Sequence, residues 1–312
     1  MKKKISIVIP AYNEQEVLDE LTQRLRSVIS GLPQYDFEVV IVENGSTDGS
    51  FGKLVAVNQS DFRFKIVCLS RNFGCDGGLI AGLNSASGAA VILMNADLQD
   101  PPEIIPEFIK KWEQGYDVVY GIIKRREGVP FFKKIMSSLF YRLINSLTKG
   151  LFPKNVSDFR LIDKSVRDCI CGMSERNCFL RGMIAWLGFK QVGIPFDRPA
   201  RFAGKPKAGF FTLAKVAFNG IFSFSYLPLR LVTLLGFILF IFSSVTGVVF
   251  IALFFIYGRV VPGHTSVITS MFFLFGLLFF ILGVMGEYLA RIYDEVKQRP
   301  VFIVKERIGF DS

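Results

Sequence analysis

Ala90-Val91-Ile92-Leu93-Met94-Asn95-Ala96-Asp97-Leu98-Gln99-Asp100-Pro101-Pro102 is the stretch from which the rest of this chain can be read. Ala90 to Met94 is short, apolar and preceded by the turn residues Ser87-Gly88, the pattern of a strand buried on both faces. An acid and an amide follow at its carboxyl end, where open α/β sheets bind ligands. Asp97 and Gln99 are two residues apart, so an extended backbone would aim both side chains the same way. Two such oxygens, completed by phosphate oxygens, suit Mg²⁺ or Mn²⁺. The same run also reads as a helix start, because Asp100-Pro101-Pro102-Glu103 places proline in a first turn.

Strand and helix patterns alternate around this stretch. Ile5–Pro10, Phe37–Val42, Phe64–Leu69 and Asp117–Tyr120 read as further strands, and Glu14–Ser30, Ser50–Val57, Gly77–Ala86 and Pro102–Glu113 as helices. The alternation predicts an α/β fold with a parallel sheet and right-handed crossovers, a Rossmann-like nucleotide-binding layer. No Gly-x-Gly-x-x-Gly follows the first strand, which argues against a dinucleotide cofactor.

The last third differs in kind. The chain of 312 residues carries 33 Phe, and its mean hydropathy of +0.39 is too apolar for an ordinary soluble domain. Leu231–Tyr257 and Thr265–Gly286 contain no charged residue. As helices they reach about 40 and 33 Å, enough to cross a hydrocarbon core of about 30 Å. A short connection, Gly258–His264, makes them a two-helix transmembrane hairpin with both chain ends on one side. Lys205, Lys207, Lys215 and Arg230 precede it, and Arg291, Lys297, Arg299, Lys305 and Arg307 follow it; the positive-inside rule then puts both termini and the α/β part in the cytoplasm. Met1–Pro10 begins like a signal peptide, yet its apolar stretch is too short for one. Pro130–Ile144 and Phe210–Phe224 are amphipathic segments suited either to a membrane surface or to packing on the α/β part. The division expected is 1–204 for the α/β domain, 205–230 interfacial, 231–286 membrane (helices at about 231–257 and 265–286) and 287–312 a cytoplasmic tail. A net charge of +10 suits an anionic membrane and phosphate-bearing substrates. Its basic residues form no stripe, so nucleic acid is not expected. Five cysteines without metal-site spacing fit free thiols in a reducing cytosol.

Pro10-Ala-Tyr12-Asn13-Glu14, Glu43-Asn44-Gly45-Ser46-Thr-Asp48, Arg71-Asn72-Phe73-Gly74, Asp97-Leu-Gln99-Asp100-Pro101-Pro102 and Ser157-Asp158-Phe159-Arg160 occur in that order. With Ser223–Arg230, the two apolar spans and Gly286–Tyr293, the sequence resembles family 2 glycosyltransferases of GT-A fold over nearly its whole length. Within them it is similar to the polyprenyl-phosphate glycosyltransferases, the bactoprenol glucosyltransferases and dolichol-phosphate mannose synthases. The resemblance implies inverting transfer of one hexose from a UDP-sugar, glucose first, to undecaprenyl phosphate for a cell-envelope glycan. It also implies a multi-pass protein of the bacterial inner membrane. Asp97 and Gln99 then hold the Mg²⁺ or Mn²⁺. Pro10, Tyr12, Glu14, Glu43, Asn95 and Asp97 line the nucleotide-sugar site, and Asp158 matches the acid proposed as base. The sequence departs from the pattern at Asn95, where an Asp is usual, at Glu43-Asn44 for Asp-Asp, at Ile123 for a basic residue and at Pro206 for Ser or Thr.

A lipid phosphate with a second pKa near 6 is largely dianionic at neutral pH, so it needs its charge screened more than it needs a base. Arg126, Arg160, Arg201 and Lys207 are candidates for that, because guanidinium forks match phosphate oxygens. Asp158 is then expected to orient a basic partner, with Asp158 and Arg160 forming the catalytic pair. A processive polysaccharide synthase is disfavoured because Leu180–Trp186 does not match Gln-x-x-Arg-Trp. Two other readings are a membrane-anchored nucleotide-sugar binder with weakened turnover and a transferase for N-acetylglucosamine, an aminosugar or mannose. Gly276, Gly283 and Gly286 offer small surfaces for self-association, so a homo-oligomer is among the expectations.

Overall fold

The protein is described from a computed structural model covering residues 2–126, 156–176, 178–199, 202, 227–257 and 263–310. The chain forms two compact units, Met1–Gly220 with Arg299–Ser312, and Ile221–Gln298.

The first unit is built on β1 (Lys4–Ala11), β2 (Asp36–Glu43), β3 (Phe64–Leu69), β4 (Ala90–Leu93), β5 (Val118–Arg126), β6 (Val156–Asp163), β7 (Gln191–Arg198) and β8 (Val304–Ile308). Its helices are α1 (Leu18–Ser30), α2 (Ser50–Ser60), α3 (Gly74–Ser85), α4 (Ile105–Glu113), α5 (Lys164–Gly172) and α6 (Leu180–Trp186). The sheet order is β7-β5-β6-β4-β1-β2-β3-β8. β1 to β4 are parallel neighbours, as the alternation predicts. β2 is buried from Phe37 to Glu43, the continuous pattern of a strand covered on both faces. Leu18, Leu21 and Leu25 of α1 and Phe108 of α4 seal the core against Ile5, Ile7, Ile41 and Ile92.

The expectation of a purely parallel sheet is corrected on the other side. β6 runs antiparallel between β4 and β5, with Leu93 opposite Arg160 and Val91 opposite Ile162. This insertion carries Ser157–Arg160 alongside the end of β4. At the far edge the chain returns from the second unit to add β8 antiparallel to β3. The stretch anticipated as a tail is therefore partly a strand. Ser70 N–H donates to Ile303 O at 2.9 Å, and the Phe310 ring lies under Lys65 Nζ and Arg307.

The second unit contains α7 (Leu227–Tyr257) and α8 (His264–Lys297). α8 continues past Gly286 to a left-handed Gln298, two residues before Pro300. Phe273–Lys297 is, among the described residues, the one stretch long and apolar enough by length and composition to cross a membrane. Large apolar side chains along both helices are solvent-exposed, Phe255 by 82% and Phe279 by 68%, an arrangement unsuited to water. The segments 130–144 and 210–224 lie outside the described residues.

One buried carboxylate ties the amino-terminal end of the sheet. Glu38 is 2% exposed and accepts from Ser6 Oγ at 2.6 Å, Ser87 N–H at 2.6 Å and Lys65 Nζ at 3.0 Å, with Lys4 Nζ at 3.1 Å. Burial by itself pushes its pKa up, but these donors outweigh that and hold it at about 2. A depressed carboxylate pKa adds stability above the unfolded value near 4.5, lost as pH falls toward 2. Glu38→Gln is expected to lose on the order of 3 kcal/mol at pH 7, the gap shrinking below pH 4, as read by thermal unfolding across pH. Deleting residues 299–312 strips β3 of its outer partner β8 and leaves it an open edge; the expected result is a lowered unfolding temperature of the α/β unit and faster proteolysis around Phe64–Gly74.

Candidate functional site

The carboxyl ends of β1 and β2 are bound together by paired loops. Asn13 N–H donates to Ser46 Oγ at 3.0 Å, Thr47 N–H to Asn13 Oδ1 at 2.8 Å, Glu14 N–H to Ser50 Oγ at 3.0 Å and Gly49 N–H to Gln15 Oε1 at 2.9 Å. Asn13 sits at φ 52° and its side chain crosses to Thr47, and α1 starts at Leu18 rather than at the expected Glu14. Glu43 is buried and its carboxylate accepts the Ser46 N–H. Asn44, also buried, donates to Gly74 O at 2.8 Å and accepts from Phe73 N–H at 2.9 Å, locking the Arg71–Gly74 loop to β2. Gly45 at φ +70° allows this approach, because a Cβ there would lie 2.6 Å from the Arg71 carbonyl carbon. Pro10 is held against α3, where a Cβ on Gly78 would meet it at 3.0 Å. Pro10, Tyr12 and Glu14 are half-buried along this wall.

Beyond β4 the chain turns at once. The extended backbone expected across Asp97–Gln99 is corrected: Leu98 adopts φ 57°, and Gln99 N–H donates to Asp97 Oδ1 at 3.2 Å. The two oxygen-bearing side chains share a tight turn rather than one face of a strand. Asp97 is 8% exposed and Gln99 is half-buried. Among the described residues no three acidic, thiol or imidazole groups cluster to form a metal site. The donor set of one carboxylate and one amide thus fits a hard divalent ion only when ligand oxygens complete the shell.

Asp100 stands just before a helical turn at Pro102–Ile104, as the sequence predicts, and has a second part as well. It has no exposed surface, and its carboxylate accepts from Asn95 N–H at 3.2 Å, Asn95 Nδ2 at 3.0 Å and Ser157 Oγ at 3.0 Å. Burial, aided by the Asp97 and Asp158 charges, holds its pKa above the usual carboxylate range against the pull of the Arg198 charge and the Asn95 N–H. Asn95 is thereby occupied in holding the turn, while its Oδ1 lies 3.8 Å from Cys75 Sγ.

β6 supplies Asp158 and Arg160 on one face. Arg160 is 4% exposed and donates Nε to Asp158 O at 3.3 Å and Nη2 to Ser157 O at 3.0 Å. Its guanidinium is spent largely on backbone carbonyls, so the phosphate-fork role expected of it is served by fewer free donors. Burial lowers its pKa to about 10 against the pull of Asp158. The Asp158 carboxylate meets instead a residue absent from the expected site: Arg181, at the start of α6, donates Nε at 3.0 Å and Nη2 at 2.6 Å. Burial acts to raise the Asp158 pKa; the Arg181 and Arg160 charges overcome it and leave the group below its usual range. Asp76 on α3 also faces this pair, and burial followed by the Asp158 charge lifts it to about 6. The sequence signal for Arg181 was its place in Leu180-Arg181-Gly182, weighed only as a failed Gln-x-x-Arg-Trp match. Arg126 ends β5 with its backbone opposite Arg198; its side chain, Arg201 and Lys207 lie outside the described residues.

The family model described as Glycosyl transferase family 2 matches residues 6–171. An uncharacterized glycosyltransferase of Synechocystis sp. is 42% identical over 311 residues, covering 100% of this chain and 98% of its own length. A prophage bactoprenol glucosyl transferase homolog of Escherichia coli is 36% identical over 302 residues, covering 97% and 98%. A bactoprenol glucosyl transferase of Shigella phage SfII is 37% identical over 303 residues, with the same coverage. Among solved structures, glucosyl-3-phosphoglycerate synthase of Mycobacterium tuberculosis, in complex with Mn²⁺, uridine diphosphate and phosphoglyceric acid, superposes with a TM-score of 0.52 at 17% identity. It covers 69% of this chain and 75% of its own, a likeness of fold.

Asp100→Ala leaves the Ser157 hydroxyl and the Asn95 donors without their buried acceptor. The expected cost is about 2–4 kcal/mol, seen as a lower unfolding temperature of the detergent-purified protein, with Asp100→Asn intermediate.

Proposed function

The chain belongs to glycosyl transferase family 2 and is a glycosyltransferase with a GT-A-like α/β sheet, and on that premise we propose that it moves one hexose from a UDP-sugar to undecaprenyl phosphate. The observation that carries the reading is full-length likeness to bactoprenol glucosyl transferases, including the region after the family domain. Glucose is the sugar those names favour.

In the proposed reaction an oxygen of the lipid phosphate attacks the anomeric carbon from the face opposite the leaving group. The new C–O bond forms as the bond to the donor's β-phosphate oxygen breaks, and the electron pair departs with UDP. The configuration inverts, and a dianionic acceptor has no proton to lose. The wall formed by Pro10, Tyr12, Glu14 and Glu43 receives the nucleoside; Tyr12 offers a ring for base or ribose, and the carboxylates accept hydroxyl hydrogen bonds. Asp97 and Gln99 would hold Mg²⁺ or Mn²⁺, which would supply positive charge against that growing on the departing diphosphate. Asn95 abuts this turn. Arg126, Arg201 and Lys207 screen the acceptor phosphate.

Leu231–Tyr257 and Thr265–Gly286 are proposed as two membrane spans. Both termini and the catalytic unit then face the cytoplasm of a bacterial inner membrane, where donor and lipid acceptor meet. The amphipathic segments 130–144 and 210–224 lie at the headgroups in this reading, and the product serves an envelope glycan. Protomers associate through the small-residue positions of the second span.

Detergent-purified protein, undecaprenyl phosphate, Mn²⁺ and a panel of labelled nucleotide sugars test this. The expected outcome is label in the lipid phase from UDP-glucose, abolished by chelator and lowered on the order of 100-fold or more by Asp97→Ala. Transfer from another donor alone replaces the sugar assignment; nucleotide binding without transfer from any donor favours a binder that has lost turnover.

A further inference from the structure

Asp158 is gripped on one side only. Both Arg181 donors, Nε at 3.0 Å and Nη2 at 2.6 Å, converge on Oδ1, and Arg160 Nη2 also approaches Oδ1, at 3.9 Å. Among the described residues nothing bonds to Oδ2, and 42% of the side chain remains exposed. The two arginines divide the work. Arg160 clamps the backbone carbonyls of Ser157 and Asp158 at the start of β6; Arg181 clamps the carboxylate itself.

The position of Arg181 is built in turn from elsewhere. α6 spans Leu180–Trp186, with Leu180, Met183 and Ile184 buried, so its first turn is anchored by packing. Asp76, on α3, faces the backbone N–H of Leu180, the residue next to Arg181. The charges facing Asp158 come from every neighbouring element: Arg181 from α6, Arg160 from β6, Arg198 from β7, Asp76 and Cys75 from α3, and Asp100 from the turn after β4. A carboxylate held by one oxygen among such groups has a fixed direction, and its second oxygen can accept a hydrogen bond from a ligand hydroxyl.

Resting on the transferase reading above, we propose that Arg181 is a positioning residue for sugar transfer, holding Asp158 by Oδ1 so that Oδ2 accepts from a hydroxyl of the hexose being moved. Arg181 touches neither donor nor acceptor in this scheme and acts wholly through Asp158. A lysine cannot replace it, because one ammonium lacks the two converging N–H groups.

The test is a double-variant cycle on the full-length protein in detergent, reading label transfer to undecaprenyl phosphate with Mn²⁺. Arg181→Ala is expected to lower kcat about 10- to 100-fold, the loss associated with misplacing a catalytic group, with KM for the nucleotide sugar within about twofold. Added guanidinium ion is expected to restore part of kcat, and Arg181→Lys to behave like Arg181→Ala. In an Asp158→Asn background, Arg181→Ala is expected to cost nothing more. Losses that multiply across the cycle, or a raised KM at unchanged kcat, overturn the inference, because Arg181 then binds substrate itself. Should Arg181→Ala fail to fold, Arg181→Lys carries the same cycle. Transfer by the unaltered protein separates the two layers. Its absence with every donor sinks the transferase reading and this inference with it; its presence with multiplicative losses sinks this inference alone.

Discussion

The Asp100 carboxylate is the constraint on which the site depends, since a charge wholly removed from water persists only while donors surround it, and here they come from two separate segments. Asn95 donates from the turn after β4, and Ser157 from the start of β6. That bond joins the turn bearing Asp97 and Gln99 to the strand bearing Asp158 and Arg160. The antiparallel register of β6 on β4 sets the same distance independently, with Leu93 opposite Arg160. Two constraints of different kind, one a backbone ladder and one a buried polar bond, thus fix one relation.

Charge is managed at the two ends of the sheet in opposite ways. At the amino-terminal end, Glu38 is surrounded by hydroxyls, an N–H and lysines, and its pKa falls to about 2. It acts as a permanently ionised rivet. At the carboxyl end the Asp158 charge raises the pKa of Asp76 and of Asp100, while Arg160, Arg181 and Arg198 among them act to lower these carboxyls. Such closely balanced charge is what a site handling phosphates requires, because ligand charge can enter without stranding an unpaired ion. The ionised rivet lies at one end and the proposed chemistry at the other, as open α/β sheets commonly arrange their ligand sites.

Much of this was legible from residues alone where the signal is local. The apolar runs of β1 to β4, the turns between them and the uncharged stretches ending at Tyr257 and Gly286 depend on neighbours in sequence. The motif residues Pro10 to Glu14, Glu43 to Asp48 and Asp97 to Asp100 likewise sit at strand ends because strand ends follow from hydrophobic runs. Local reading fell short where a residue's partner is distant. Asn13 has a cap's chemistry but spends it on Thr47. Asp100 does precede a helical turn, but its bond to Ser157, 57 positions away, has no local signal. The uncharged stretch ending at Gly286 is one helix with the charged residues up to Lys297, since loss of apolar character does not end a helix.

By itself the sequence determined the family, the α/β class, the apolar third and the strand-end motifs, because each is written in composition, period or the order of short segments. Only the tertiary structure decided that β6 enters between β4 and β5, that the chain returns to lay β8 on β3, and that Arg181 grips Asp158. These pairings join residues whose separation along the chain carries no periodic or turn signal. They are selected by which edges and charges remain unsatisfied once the sheet has formed, and that is a property of the assembled fold.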